Sequence, residues 1–162
     1  MPIQAGDTIP NVNLYFIGDS GGPEAKPAHE LLGGKKVLLF AVPGAFTRTC
    51  SAKHLPSFVR NADALRTKGV DEIVCLSVND AAVMRAWGEA HGAPGKVTML
   101  SDGIAEFATA IGMANDMSAR GYGVRSKRYA MLIDNNVVKE LWAEPPGEYG
   151  VSSAEAVLEQ LG

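Results

Sequence analysis

Cys50 is the residue of this chain best placed to do chemistry. It follows an unbroken apolar run, residues 37–42 (Val-Leu-Leu-Phe-Ala-Val), and then a Pro43-Gly44 break. The run predicts a buried strand, and Thr47 and Thr49 signal the start of a helix. The sulfur therefore sits where a helix begins. Unpaired backbone N–H groups and the positive end of the helix dipole favour a thiolate there, and the thiolate is the nucleophilic form of cysteine. His54 stands four residues on, on the same helical face. A Cys–His pair at that spacing fits a cysteine hydrolase, a metal ligand pair or a histidine that supports the helix. The other cysteine, Cys75, lies in the near-continuous apolar run 73–78, where a thiol ordinarily behaves as a small buried hydrophobe.

The elements that must position Cys50 follow from periodicity and punctuation. Val12, Leu14 and Phe16 alternate as in an edge strand, 18–23 is a Gly-rich loop, and 27–32 reads as a helical turn closed by Gly33-Gly34. From 49 to 68 the apolar residues Leu55, Phe58, Val59, Ala62 and Leu65 recur at helical steps, with Pro56 kinking the first turns and Gly69 ending the helix. A strand is expected over 70–78, a helix capped by Asn79-Asp80 over 81–90, a short strand over 97–100 and a helix over 103–112. The last of these would present Ile104, Phe107, Ala108 and Ile111 on one face. Residues 113–127 read as irregular. Strands 128–133 and 137–142 flank an Asp-Asn-Asn turn, which is hairpin chemistry, and Ser152-Ser153 caps a last helix over 154–161. Helices alternating with buried strands predict an α/β fold: a mostly parallel central sheet, mixed by the late hairpin, with helices on both faces. No linker, repeat or low-complexity stretch divides the chain, so residues 1–162 are expected to form a single domain.

Composition excludes several classes. Charged residues are 20% and hydrophobic residues 46%, as in an ordinary globular chain, and the net charge of −3 carries no nucleic-acid footprint. No apolar run approaches the roughly 20 residues of a spanning helix, and the first residues lack the pattern of a secretory signal. A cytoplasmic location away from membranes is the expectation. Two cysteines are too few for a disulfide framework, and with three scattered histidines they do not make a zinc site. Gly121-Tyr122-Gly123 follows no strand–helix context and is not a nucleotide loop.

A strand, a break and Thr47-x-x-Cys50 at a helix start resemble a thioredoxin-type redox site in which the first cysteine of Cys-x-x-Cys is replaced by threonine. No local disulfide can form. The whole run Pro43-Gly44-Ala45-Phe46-Thr47-Arg48-Thr49-Cys50 matches the Pro-x-x-x-Thr-x-x-Cys pattern of peroxiredoxins. With its flanks, including His54-Leu55-Pro56, 75–80, Trp87 with His91, and Lys127-Arg128-Tyr129, the chain resembles the peroxiredoxin 5 (type II) subfamily over residues 3–161.

The resemblance implies a thioredoxin-like fold and a thiol peroxidase that acts on hydrogen peroxide and alkyl hydroperoxides without metal, haem or flavin. Cys50 would be the nucleophile that becomes a sulfenic acid. Thr47 would bond the peroxide and the sulfur, and Pro43 would shield the sulfur from water. Arg128 would stabilise the thiolate and the leaving oxygen; Arg125 competes for that role but is out of register with the motif. Gly44 and Phe46, with the backbone N–H of Cys50, would complete the substrate pocket. The region where some members carry a resolving cysteine reads Gly150-Val151-Ser152-Ser153. This implies a one-cysteine cycle, with glutathione, glutaredoxin or thioredoxin as reductant and a homodimer as the assembly. A redox-responsive binding module built on Cys50 is the competing class. The subfamily's pattern has proline where this chain has Arg48. A cation there could act on the thiol, attract an anionic reductant, or simply face solvent.

Overall fold

The computed structural model describes residues 2–161, so residues 1 and 162 of the expected domain lie outside it. Seven strands form one sheet: β1 (Asn13–Ile17), β2 (Pro23–Pro27), β3 (Lys36–Val42), β4 (Glu72–Ser77), β5 (Thr98–Ser101), β8 (Tyr129–Asp134) and β9 (Val137–Ala143), in the order β2-β1-β5-β4-β3-β8-β9. Only β3, β4 and β5 run parallel, and the outer pairings are antiparallel. The sheet is therefore mixed, as expected, but less parallel than the βα alternation suggested. The first hairpin accounts for part of this. β2, Pro-Glu-Ala-Lys-Pro, is exposed along its length and has no apolar alternation to betray it.

β3 is buried from Val37 to Val42 and sends alternate side chains to opposite faces. Leu38, Phe40 and Val42, with Ile73, Cys75 and Ala130, pack under α2 (Leu55–Arg60), α3 (Ala62–Thr67), α4 (Ala81–Ala90) and α6 (Ala154–Leu161). Val37, Leu39 and Ala41, with Val74, Leu76 and Met131, pack under α1 (Ala28–Leu32) and α5 (Glu106–Ala110). Burying each such side chain is worth about 1.5–3 kcal/mol, so the two-sided apolar run fixes β3 at the centre of the sheet. Among the described residues no helix is long and apolar enough to cross a membrane.

Four local expectations are corrected. The helix expected over 49–68 is in three pieces: a π-helical turn at Cys50–His54, α2, and α3 beyond a break at Asn61. Pro56 stands in the first turn of α2, so the kink comes just before it. The helix expected over 103–112 is reduced to α5. The Asp102 carboxylate accepts the N–H groups of Phe107 and Ala108, and Ala105 is left-handed at φ 59°, so the preceding turn lies outside the helix. Ile104, expected on the apolar face, is consequently 71% exposed. Residues 113–127 are not irregular throughout: β6 (Ala114–Asp116) and β7 (Val124–Ser126) form a small antiparallel ribbon. The β8–β9 turn is the two residues Asn135 and Asn136, both at positive φ as a type I′ turn requires.

Candidate active site

The loop after β3 is held open and rigid by its own sequence. A Cβ on Gly44 would lie 2.8 Å from Arg125 Nη1 and 3.0 Å from Thr47 Cγ2, so a larger residue here would push both side chains back from the backbone. Phe46 sits at φ 62°, a conformation costly for a bulky residue, and the residue is 57% exposed. The Ala45 N–H donates to Asn79 Oδ1 at 2.9 Å, tying the loop to the end of β4. The Thr47 hydroxyl donates to the Gly44 carbonyl at 2.6 Å and the Ser51 N–H to the Thr47 carbonyl at 2.9 Å, which starts the helix.

Cys50 opens the π-helical turn and is fully buried. In that turn the Leu55 N–H reaches back five residues to the Cys50 carbonyl. The cause is Pro56, which has no N–H to offer Ala52 and whose ring would strike that carbonyl in an α-helix. Wide turns of this kind occur often at functional sites. Trp87, buried on α4, donates its indole N–H to Ser51 Oγ at 2.9 Å and braces the turn from the side.

Arg128 arrives at the head of β8. Its Nη2 donates to Cys50 Sγ at 3.1 Å, and its Nη1 lies 2.8 Å from His54 Nδ1. His54 Nε2 is 2.9 Å from the Ser152 carbonyl, which can only accept. The imidazole proton is therefore on Nε2, and Nδ1 is free to accept from Arg128. Burial, and then the Arg128 charge, lower the His54 pKa to about 3, so the ring is neutral at working pH. Arg128 also lies over Tyr149, 5.9 Å from the ring centroid, and His54 meets the same ring edge-on at 5.2 Å.

The support closes on itself. Glu144 Oε2 accepts the N–H groups of Gly150 and Ser152 and the Ser152 hydroxyl at 2.6–2.8 Å. Its own N–H donates to the Arg128 carbonyl at 3.0 Å. Burial opposes the Glu144 charge, but these hydrogen bonds prevail and hold its pKa below the ordinary value. The circuit Arg128–Glu144–Ser152–His54–Arg128 thus fixes the guanidinium from both its backbone and its tip.

Arg125 is close to the sulfur's loop without touching the sulfur. Its Nη1 donates to the Pro43 carbonyl at 3.2 Å, its Nε to the Tyr122 carbonyl at 3.0 Å, and it stacks over the Tyr122 ring. The two arginines divide two tasks that the sequence presented as one. Arg128 is brought to Cys50; Pro43, Gly44 and Thr47 lie in the loop before the sulfur, where the Thr47 hydroxyl donates to the Gly44 carbonyl and not to Cys50 as expected; and the exposed Phe46 is in the same loop, its ring 6.5 Å from that of Trp87. Arg48 is exposed and forms no ion pair among the described residues. Cys75 is fully buried in β4, level with Phe40 of β3 and Met99 of β5. Burial, reinforced by the nearby Cys50 and opposed by Arg128, pushes its thiol well above the ordinary range. Both cysteines are free. The sequence reading undervalued His54, whose use as a partner of Arg128 depends on a loop some hundred residues away. The signal that was available is the Cys-x-x-x-His spacing beside Pro56.

A buried thiol at a helix start, held by a charged arginine on a mixed α/β sheet, defines a thioredoxin-like thiol-redox protein. The comparison with known proteins narrows this. The Redoxin family matches residues 4–158. Peroxiredoxin-2B of Arabidopsis thaliana is 44% identical over 160 residues, covering 99% of both chains. The chloroplastic Peroxiredoxin-2E-2 of Oryza sativa subsp. japonica is 50% identical over 98% of this chain and 72% of that protein. The structure of reduced Prx3 from Vibrio vulnificus in complex with hydrogen peroxide superposes with a TM-score of 0.94 at 50% identity, covering 99% of each chain. The chain belongs to the Redoxin family, among its peroxiredoxins, and it is a thiol peroxidase.

Proposed function

We propose that Cys50 is the peroxidatic residue and that the enzyme works through this one sulfur. The Cys50 thiolate attacks one oxygen of the hydroperoxide. An S–O bond forms, the O–O bond breaks, and the other oxygen leaves as water or an alcohol after taking a proton, so Cys50 becomes a sulfenic acid while the peroxide is reduced. The observation that carries this is the Arg128 Nη2 to Cys50 Sγ contact of 3.1 Å, a fixed positive charge where negative charge gathers in the transition state. Thr47 contributes as an acceptor: its proton is given to the Gly44 carbonyl, which leaves lone pairs for the O–H of the peroxide. Pro43, Gly44 and the backbone N–H of Cys50 shape the pocket, and Phe46 closes its outer side. Hydrogen peroxide and alkyl hydroperoxides are the substrates; the Vibrio vulnificus relative in complex with hydrogen peroxide supports this class.

The reduction step uses an external thiol. Cys75 is sealed in mid-sheet and 150–153 offers no cysteine, which supports a one-cysteine cycle with glutathione, glutaredoxin or thioredoxin as reductant. His54 is not the base of a cysteine hydrolase: its Nδ1 is engaged by Arg128 and its Nε2 by Ser152. A homodimer packing at the active-site loops is supported by Phe46, Ile104, Tyr122 and Val124, all exposed, the first three on loops and Val124 at the start of β7, in segments that Asn79 and Arg125 tie to residues 43–47. We read the chain as one thioredoxin-like domain acting in the cytoplasm. Peroxide consumption with each reductant in turn, for the wild type and for Cys50→Ser, tests the proposal: turnover that survives the substitution would refute it.

A further inference from the structure

Two segments of the chain are electrically unlike the rest. Residues 43–61 and 117–133, the two segments that bring Cys50 and Arg128 together, contain seven of the fifteen lysines and arginines and no aspartate or glutamate. The other segments hold eight cations against all eighteen carboxylates, so in a chain of net charge −3 the two segments that carry Cys50 and Arg128 are purely cationic. Three of the seven cations are engaged: Arg128 on Cys50 and His54, Arg125 on backbone carbonyls, and Arg60 on Glu155. Arg48, Lys53, Arg120 and Lys127 are exposed and form no ion pair among the described residues. Arg48 lies in the turn that carries Cys50, two residues before the sulfur.

We infer that Arg48, exposed and unpaired in the turn that carries Cys50, selects the reductant: it docks the carboxylate of a small anionic thiol and favours it over neutral thiols of the same reactivity. Glutathione is of this class. The inference rests on the one-cysteine cycle proposed above. In the step concerned, the reductant thiolate attacks Cys50 of the sulfenic acid. An S–S bond forms, the S–O bond breaks, and the oxygen leaves as water with two protons. A second thiolate then attacks the reductant's sulfur in the mixed disulfide, forming the reductant disulfide and returning the Cys50 thiolate. Two reductant thiols are oxidised for each sulfenic acid reduced. A hydroperoxide has no carboxylate for Arg48 to bind, so this preference belongs to the reductive half of the cycle. Guanidinium pairs carboxylate in a bidentate fork, and a field of one sign at a pocket mouth raises the encounter rate of the opposite charge in a salt-dependent manner.

The test separates the two half-reactions. Cys50 is first oxidised with one equivalent of hydrogen peroxide. The sulfenic acid is then reduced with 2-mercaptoethanol, 3-mercaptopropionate, mercaptosuccinate or glutathione, with Trp87, bonded to Ser51 beside Cys50, as the fluorescent reporter in stopped flow and mass spectrometry as a second readout. For each thiol the rate constant of Arg48→Gln is divided by that of the wild type, which cancels intrinsic thiol reactivity. The ratio should fall roughly three- to tenfold for the anionic thiols, most for the dicarboxylate, and stay within about 1.5-fold of unity for 2-mercaptoethanol. Arg48→Glu should exaggerate the difference, Arg48→Lys should restore most of it, and high salt should erase it. Equal ratios for charged and neutral thiols would overturn the inference. Failure of Cys50 to oxidise at all would instead refute the proposed catalytic cycle, so the two failures are distinguishable.

Discussion

Cys50 and Cys75 are both fully buried, both free and both part of the same apolar cluster on one face of the sheet, yet their surroundings prepare them for opposite fates. Cys75 lies in the middle of a parallel strand, flanked by Phe40 and Met99. Burial raises its pKa and holds it as a neutral thiol. Cys50 opens a widened helical turn and has a guanidinium nitrogen at 3.1 Å. Burial alone therefore says nothing about reactivity. What separates the two sulfurs is a donor charge brought from 78 residues away and held by partners that do not touch the sulfur. Desolvation then works in favour of the chemistry at Cys50, because a fixed charge is strongest where water is excluded.

That contrast can be broken in graded steps. Cys50→Ser removes the nucleophile and should lower peroxide turnover by about 10³-fold or more, to background. Arg128→Ala leaves the sulfur but removes the charge beside it; the second-order rate with hydrogen peroxide, followed by stopped flow, should drop by on the order of 10²- to 10³-fold. Both are direct tests of what Cys50 has and Cys75 lacks.

His54→Gln loosens the guanidinium without deleting it and should cost about ten- to a hundredfold in the same rate. It also has a signature in stability. The His54 pKa of about 3 lies below the ordinary value of 6.5, so between these limits the unfolded chain binds the extra proton. This contribution is fully present above pH 6.5 and is lost as pH falls toward 3, at about 1.4 kcal/mol per unit of depression. Denaturant unfolding from pH 7 to pH 4 should show a steeper loss of stability in the wild type than in His54→Gln. Parallel profiles would remove His54 from the account.

The smallest effect is expected at the quiet cysteine. Cys75→Ala should leave turnover within about twofold and lower stability by about 1 kcal/mol, the cost of a small packing loss in mid-sheet. A large fall in turnover, with the fold intact, would mean that Cys75 takes part in the cycle.

Much of this was legible in the sequence where a signal is local. The strand over 37–42 followed from six consecutive apolar residues buried on both faces. The helix over 81–90 was read with its true bounds because Asp80 caps it, its carboxylate accepting the Val83 N–H at 2.8 Å. Pro43, Thr47, Cys50 and Arg128 were grouped by their likeness to a known pattern, and of these the fold carries Arg128 to within 3.1 Å of Cys50. What was not legible depends on distant partners. β2 exists because β1 pairs with it, not because its own side chains ask for a strand. Ile104 was assigned to a buried face because the Asp102 cap, which starts the helix later, could not be seen without coordinates. Arg125 and Arg128 are three residues apart and chemically alike; the motif's register picked Arg128 for the sulfur, but the separate place of Arg125 on the Pro43 carbonyl needed the course of the ribbon. His54 looked like helix support because Ser152 and Glu144, which turn it toward Arg128, lie at the far end of the chain.

The most direct test of the central claim is intact-protein mass spectrometry after one equivalent of hydrogen peroxide, with a sulfenic-acid trap present and the labelled peptide sequenced. The account predicts one trapped adduct per chain, at Cys50, in the wild type and equally in Cys75→Ala. A Cys50–Cys75 disulfide, or an adduct at Cys75, would contradict it.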